Sequence, residues 1–390
     1  MTIDASPVLH DIAVIGPGPV GATAALALAH QGFKVALIGP HGARRDGRTV
    51  ALMVASWDLL ERLGAASRLV ERAAPLAMMR LVDDTGSLFR RPPSEFRASE
   101  LGLDQFGWNV ETSFLTQALV DAVEDHPAIA RIETPVSGVE IGAEAGHLAL
   151  ADGSRLSAKL IVGADGRNSL VRRSSGIVAK EWSYPQKALT TIFRHSRPHR
   201  GISTEFHTRF GPCTTVPLLG NRSSLVWMLP ASEGDPMMGL DDSALAAAIE
   251  RRIHSILGEI AIDGPRGLVP MGGLSVERFV SERCALVGEA AHVFPPIGAQ
   301  GLNLGLRDVA SLAASVAASD PGRADGLACY QRSRASDVGT RTRAVDALNR
   351  SLLADFLPVD FARGAGLLAL DAIAPLRRYV MRQGLDPSRG

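Results

Sequence analysis

Residues 283–312 read RCALVGEAAHVFPPIGAQGLNLGLRDVASL, and the rest of the chain is organised around them. The apolar run 284–287 has the length and composition of a buried strand. Gly288 and Glu289 set a small residue and a carboxylate at its end, and a turn with Pro295 and Pro296 follows. Glycines recur at 298, 301 and 305, and a helical pattern begins near Gly301. Strand, acid, glycine-rich turn and helix start together make a pocket for a ligand with hydroxyls and an electron-poor or anionic end. The carboxylate accepts hydrogen bonds from hydroxyls, and the helix start offers unpaired N–H groups and a positive dipole end. Glycines allow close approach of a flat molecule.

A second pocket signal opens the chain. Residues 11–15 (DIAVI) form a buried strand, and GPGPVG follows at 16–21. Gly16, Gly18 and Gly21 fit G-x-G-x-x-G, in which the first makes the turn, the second admits a pyrophosphate and the third lets helix pack on strand. A helix of small apolar residues (22–31), Gly32 and a second strand (34–38) complete a dinucleotide-binding unit. The acid that holds the adenosine ribose should fall near position 39, where this chain has Gly39-Pro40-His41. Another group binds that ribose, or affinity for the cofactor is reduced. Midway, a third buried strand (160–163) runs into Ala164-Asp165-Gly166, then Asn168, Ser169 and Arg172. A strand–turn–helix with a capping Asp is the bland reading of this stretch.

The late stretch resembles the second FAD-binding motif of the single-component flavin monooxygenases, which share the para-hydroxybenzoate hydroxylase fold. AAHVFPPIGAQGLNLGLRDV is similar to the ubiquinone-biosynthesis ring hydroxylases within that group, as are Tyr330, Arg334, Asp337 and Leu348-Asn349-Arg350. Glu289 stands where the family usually has Asp, one methylene longer in reach. Asp165, Gly166, Ser169 and Arg172 match the family's D-G-x-x-S-x-x-R motif, which serves both FAD and the visiting nicotinamide. The resemblance implies FAD as cofactor, NADPH or NADH as transient reductant, and contacts from Gly16, Gly18, Gly21, Asp165, Gly166, Gly288, Glu289, Pro296, Gly298, Gly301, Leu302 and Asn303. It also implies a flavin contact from Arg48, ahead of Thr49-Val50-Ala51-Leu52, with Arg44 and Arg45 exposed. Gln117, on the helix 113–123, is the remaining flavin candidate. Backbone N–H groups of the turn from Pro295, Pro296 and Gly298 through Asn303 would face the flavin edge and stabilise negative charge there. No catalytic base is assigned, and His292 is read as capping or packing.

The fold so implied is α/β: a Rossmann-like FAD-binding domain (1–74, 99–177 and 270–350), an inserted, mainly antiparallel substrate domain (75–98 and 178–269), and C-terminal helices (351–390). In the inserted sheet Val216, Leu218, Leu225, Trp227 and Leu229 would supply one apolar face, followed by an amphipathic helix over 243–257. Residues 330–349 carry many charges and read as solvated. No second G-x-G-x-x-G exists for a dedicated nicotinamide domain, in keeping with a reductant that visits and leaves.

Bulk properties exclude several classes. With 390 residues the chain exceeds one ordinary core. Forty-one Lys+Arg balance forty-one Asp+Glu, so no global charge favours nucleic acid. Cys213, Cys284 and Cys329 lack metal spacing and fit a reducing cytosol, with Cys284 a core residue. The N-terminus lacks a signal-peptide pattern, and no apolar stretch approaches the roughly 18–20 residues of a membrane span. The expected location is cytoplasmic, with peripheral contact at the inner face of the membrane through the basic end around Arg377, Arg378 and Arg382. The resemblance implies ring hydroxylation of a polyprenylated phenol in ubiquinone biosynthesis through a flavin C4a-hydroperoxide, with other proteins of that pathway as partners. Two readings stay open beside it: hydroxylation of a small soluble aromatic, and a noncatalytic FAD-binding scaffold.

Overall fold

The computed structural model describes residues 8–40, 47–86, 92–294 and 300–353, together with Pro375, Arg377, Arg378, Met381 and Arg382. Two large sheets and one small one carry the chain. The first has eight strands: β1 (Val8–Ile15), β2 (Val35–Ile38), β8 (Ile129–Ile132), β9 (Val136–Ile141), β10 (Gly146–Leu150), β11 (Arg155–Gly163), β18 (Val280–Ser281) and β19 (Cys284–Leu286). Its spine runs β18-β19-β11-β1-β2-β8, and β19, β11, β1, β2 and β8 are mutually parallel. Parallel strands are covered on both faces, so they must be apolar throughout. Ile12, Ala13, Val14, Leu160, Ile161 and Val162 are fully buried. Helix α1 (Pro19–Ala29), built of small residues, is buried along nearly its whole length.

The second sheet has nine strands: β5 (Met78–Asp83), β6 (Ser94–Arg97), β12 (Ala179–His195), β13 (Ile202–Thr208), β14 (Gly211–Leu218), β15 (Arg222–Pro230), β16 (Ile260–Ile262), β17 (Gly267–Val276) and β20 (His292–Val293). Its order is β20-β17-β12-β15-β14-β13-β5-β6. All pairings are antiparallel except β13 with β5, which runs parallel. β20 consists of His292 and Val293, so the turn after β19 passes the chain from the first sheet to the second. Between them lies a three-stranded sheet ordered β3 (Thr49–Met53), β7 (Gly107–Glu111), β4 (Ala74–Leu76). The helices are α2 (Val54–Arg62), α3 (Thr112–Glu124), α4 (Leu170–Ser174), α5 (Ala231–Met238), α6 (Asp242–Arg252), α7 (Gln300–Ser315) and α8 (Ala324–Leu353).

Three expectations need correction. The five apolar residues of β14 and β15 do not share a face. Leu225 pairs with Thr215 and Trp227 with Cys213, so Leu225, Trp227 and Leu229 join Cys213 against Leu245 and Ile249 of α6. Val216 and Leu218 pair with Ser224 and Arg222 and lie on the opposite face, because directly paired residues share a side. Helix α6 stops at Arg252, and His254 and Ser255 take positive φ (53° and 48°) to turn the chain. The charged stretch after Tyr330 is not solvated throughout: Tyr330, Arg334 and Val338 are at most 3 % exposed. These positions are i, i+4 and i+8, one helical stripe, and counting charges along the sequence hides that stripe. Near the end of the chain, Arg377 bonds Glu100 at 3.0 Å and lies over the Phe96 ring, whereas Arg378 and Arg382 are exposed. Among the described residues no helix is long and apolar enough to cross a membrane.

Candidate cofactor site

The turns that follow β1, β11 and β19 lie side by side at the carboxyl ends of adjacent parallel strands. The chain leaves β1 toward β2 on one side, while β11 lies on the other, which makes this edge the switch point where open α/β sheets bind ligands. Gly16 has φ +103°, and a Cβ there would sit 2.4 Å from the Ala164 carbonyl oxygen. At Gly21 a Cβ would come within 1.8 Å of the Gly16 oxygen. First and second turns therefore touch backbone to backbone. Gly18 differs: it is exposed, a Cβ would meet nothing within 4 Å, and as N-cap of α1 it has no side-chain capping bond. The first-turn N–H groups of α1 thus face an open crevice. Gly39, at the end of β2, has φ +131°, and its carbonyl accepts a 2.7 Å bond from Arg131. The ribose-binding acid is absent there, as the sequence indicates.

In the second turn Asp165 organises its own loop. Its Oδ1 accepts from Ser169 Oγ at 2.5 Å, and its Oδ2 accepts from the backbone N of Leu170 and Val171 at 2.7 and 3.1 Å. The capping role, the blander of the two readings, accounts for this carboxylate. Gly166, next to it, takes φ +77°. The buried Arg172 donates to the Ala290 carbonyl at 2.9 Å and to the Arg167 carbonyl at 2.8 Å, tying the second turn to the third. Burial lowers its pKa, with Glu181 and Asp165 opposing.

The third turn starts at Gly288, whose φ of +61° brings the chain against Val20 of α1. A Cβ at Gly305 would also strike Val20, at 2.8 Å, so α1, α7 and this turn interlock. Glu289 is exposed between the buried Gly288 and Ala290. Gly301 is exposed with open space at its Cβ position, and Leu302 is half-buried. The side chain of Asn303 is buried and clamps β3, accepting from Met53 N at 2.9 Å and donating to the Ala51 carbonyl at 2.7 Å, so it holds α7 in place and leaves only its backbone for the expected flavin contact. His292 is 2 % exposed and bonded to Asp308, a packing role as expected. Cys284 is buried in β19, and desolvation pushes its thiol up to about 12. Pro295, Pro296 and Gly298, like Arg44 and Arg45, lie outside the described residues.

Arg48 is exposed at the mouth of a cavity of about 420 Å³ between α3 and the second sheet. Gly47, Ser113, Phe114, Ile192 and Leu218 also line it. Gln117 does not line this cavity: one turn further along α3, it is exposed and its amide donates to Asp121 at 2.7 Å. The cavity also holds an ion network that the sequence does not betray. Arg222 bonds Asp263 at 2.6 Å and Glu111 at 3.1 Å, and these partners raise its pKa against the effect of burial. Nearby, Asn109 is 1 % exposed, donates to the Pro217 carbonyl, and leaves its Oδ1 without a partner.

An uncapped helix start at an open glycine, an exposed carboxylate and an exposed arginine suit a ligand with a pyrophosphate, hydroxyls and a flat ring. FAD has all three. Comparison with known proteins agrees. The family model described as "FAD binding domain" matches residues 10–344. Ubiquinone hydroxylase UbiL of Rhodospirillum rubrum is 34 % identical over 387 residues, covering 96 % of this chain and 89 % of the relative. The 3-demethoxyubiquinol 3-hydroxylase of Escherichia coli is 30 % identical over 390 residues, covering 96 % and 98 %. The crystal structure of p-nitrophenol 4-monooxygenase from Pseudomonas putida superposes with a TM-score of 0.79 at 17 % identity, covering 98 % and 99 % of the two chains, a likeness of fold. The chain belongs to the FAD binding domain family, alongside the ubiquinone-biosynthesis ring hydroxylases, and its cofactor is FAD.

Proposed function

We propose that this chain is an FAD- and NAD(P)H-dependent monooxygenase that hydroxylates the aromatic ring of a polyprenylated phenol in ubiquinone biosynthesis. The observation that carries the reading is the meeting of three turns at one switch point, in a chain that aligns almost end to end with hydroxylases of that pathway. In this reading residues 1–74, 99–177 and 270–350 form the FAD-binding unit and 75–98 and 178–269 the substrate unit, with β17 and β20 carrying the substrate unit's sheet into 270–276 and 292–293.

Reduced by a nicotinamide, bound FAD supplies activated oxygen from O2. The protein binds, orients and excludes water. The N-terminus of α1 beyond Gly18 receives the pyrophosphate, with the dipole favouring its charge. The Glu289 carboxylate accepts from the cofactor's hydroxyls, its extra methylene reaching further than an aspartate. Backbone donors at Gly301 and Leu302, where α7 begins, stabilise negative charge on the ring. On the side of the second sheet opposite α6, Ala188, Met228 and Met271 pack with Tyr184 and Val226. This apolar wall keeps water from the reacting centre and accepts the phenol. A polyprenyl tail implies a substrate held in lipid, and peripheral contact with the inner membrane face from the cytoplasmic side belongs to the proposal, as does contact with other proteins of the pathway.

The test is FAD titration of the purified protein, followed by NAD(P)H oxidation with and without a short-chain prenylated phenol. The phenol should stimulate oxidation and be consumed. FAD binding without oxidation under any phenol would favour the scaffold. Stimulation by a soluble hydroxybenzoate alone would favour the small-aromatic reading. Co-sedimentation with anionic vesicles tests the membrane contact.

A further inference from the structure

One carboxylate oxygen closes the turn that bears Glu289. Asp308 Oδ2 accepts from Gly288 N at 2.8 Å and from His292 Nε2 at 2.6 Å, so both ends of the turn bond the same atom. Asp308 Oδ1 accepts from Arg334 Nε of α8 at 2.7 Å, and Arg334 Nη1 donates to Asp337 at 2.9 Å. Asp308 is 0 % exposed, His292 2 % and Arg334 3 %. A buried carboxylate is tolerated only when paired and hydrogen-bonded, and Arg334 supplies the countercharge. Two more side chains hold the same segment: Tyr330 donates to the Leu286 carbonyl at 2.7 Å, and Arg172 to that of Ala290. From Leu286 to His292 only Glu289 is exposed.

His292 Nδ1 has no partner.

We infer that Asp308, with His292 and Arg334, is a positioning device that fixes the turn so that Glu289 is presented to FAD, and that α8 is thereby a determinant of cofactor retention. The inference rests on the FAD reading and deepens it. Neither Asp308, His292 nor Arg334 touches the cofactor in this account; they act through the backbone of 288–292.

The experiment compares wild type with His292→Leu, His292→Gln and Asp308→Asn. FAD dissociation constants are measured by fluorescence, and amide hydrogen exchange over residues 286–292 is measured without FAD. Removing one bond should raise the dissociation constant about tenfold in His292→Leu and speed exchange in the turn. Gln restores a donor where Nε2 stood and should return the constant to within about threefold of wild type. Asp308→Asn should weaken binding further. If the charge left on Arg334 prevents that variant from folding, Asp308→Asn with Arg334→Gln removes the charge, and the His292 pair decides alone. A folded His292→Leu with wild-type affinity and exchange would overturn the inference, as would a Gln variant no better than Leu. Failure of the wild type itself to bind FAD would instead overturn the FAD reading.

Discussion

Substitutions at Gly18 and Gly21 should separate folding from cofactor binding, although the two glycines sit three residues apart in one motif. An alanine Cβ at position 21 would lie 1.8 Å from the Gly16 oxygen and 3.1 Å from the Ala164 Cβ. The oxygen cannot retreat, because Gly16 is itself pressed against the Ala164 backbone. Overpacking of this kind costs about 1–3 kcal/mol and more when backbone must move, so Gly21→Ala should lose about 3 kcal/mol or more. At position 18 the same methyl meets nothing within 4 Å, and the backbone there (φ −65°, ψ 175°) suits any residue. Its cost to the fold should be about 1 kcal/mol or less, since alanine is a poorer N-cap than glycine. In the proposed placement of FAD the methyl occupies the approach of the pyrophosphate to the α1 N–H groups. Losing one or two charge-assisted bonds of about 1.5–3 kcal/mol should raise the FAD dissociation constant by at least about tenfold. Urea unfolding without FAD reports the first effect and fluorescence titration the second. Gly18→Ala binding FAD like wild type would refute the placement of the pyrophosphate, and a Gly21→Ala protein of wild-type stability would refute the backbone contact.

Three further outcomes follow. Asn303→Ala leaves the Met53 N–H and the Ala51 carbonyl unpaired, which should lower stability by about 2–4 kcal/mol in urea; a loss under about 1 kcal/mol would mean the clamp is not formed. Burial lowers the pKa of His195 below 6.5, against the opposing bond to the Arg197 carbonyl. The fold favours its neutral form, so its contribution is complete above pH 6.5 and declines as the pH falls below that value. His195→Gln should flatten that decline without abolishing it, because His10 and His126 shift the same way. The carboxylates of Asp11, Glu95 and Asp320, all lowered, act only further down, from their ordinary values of 3.8 to 4.5. Arg172→Met should speed hydrogen exchange in both the 165–169 and 288–292 turns, since its guanidinium bonds Arg167 and Ala290; exchange altered in one turn alone would count against the bridge.

Much of the site is legible in the sequence because it is made of backbone. The turns at Gly16, Asp165 and Gly288 need glycines and a strand–helix context, and both are local properties that spacing records. Side-chain partners across the fold are not recorded in this way. Nothing local shows that the Asn303 side chain bonds β3, whereas the capping of α4 by Asp165 is one of the two readings its local context offers. The Arg222 network joins residues from three distant segments, and Gln117 reads like a lining residue although one turn of helix carries it away. The split face of β14 and β15 shows a related limit. Alternation within each strand is visible in sequence, but the register between strands, which decides whose faces coincide, is set by the turn.

Isotope labelling follows the transferred oxygen atom itself. The FAD-loaded protein is incubated with NAD(P)H, 18O2 and a short-chain prenylated phenol, and the product is analysed by mass spectrometry. One 18O atom should appear on the aromatic ring per NAD(P)H consumed, with none taken from water. Consumption of NAD(P)H with an unlabelled or unchanged phenol across a range of prenyl lengths would contradict it.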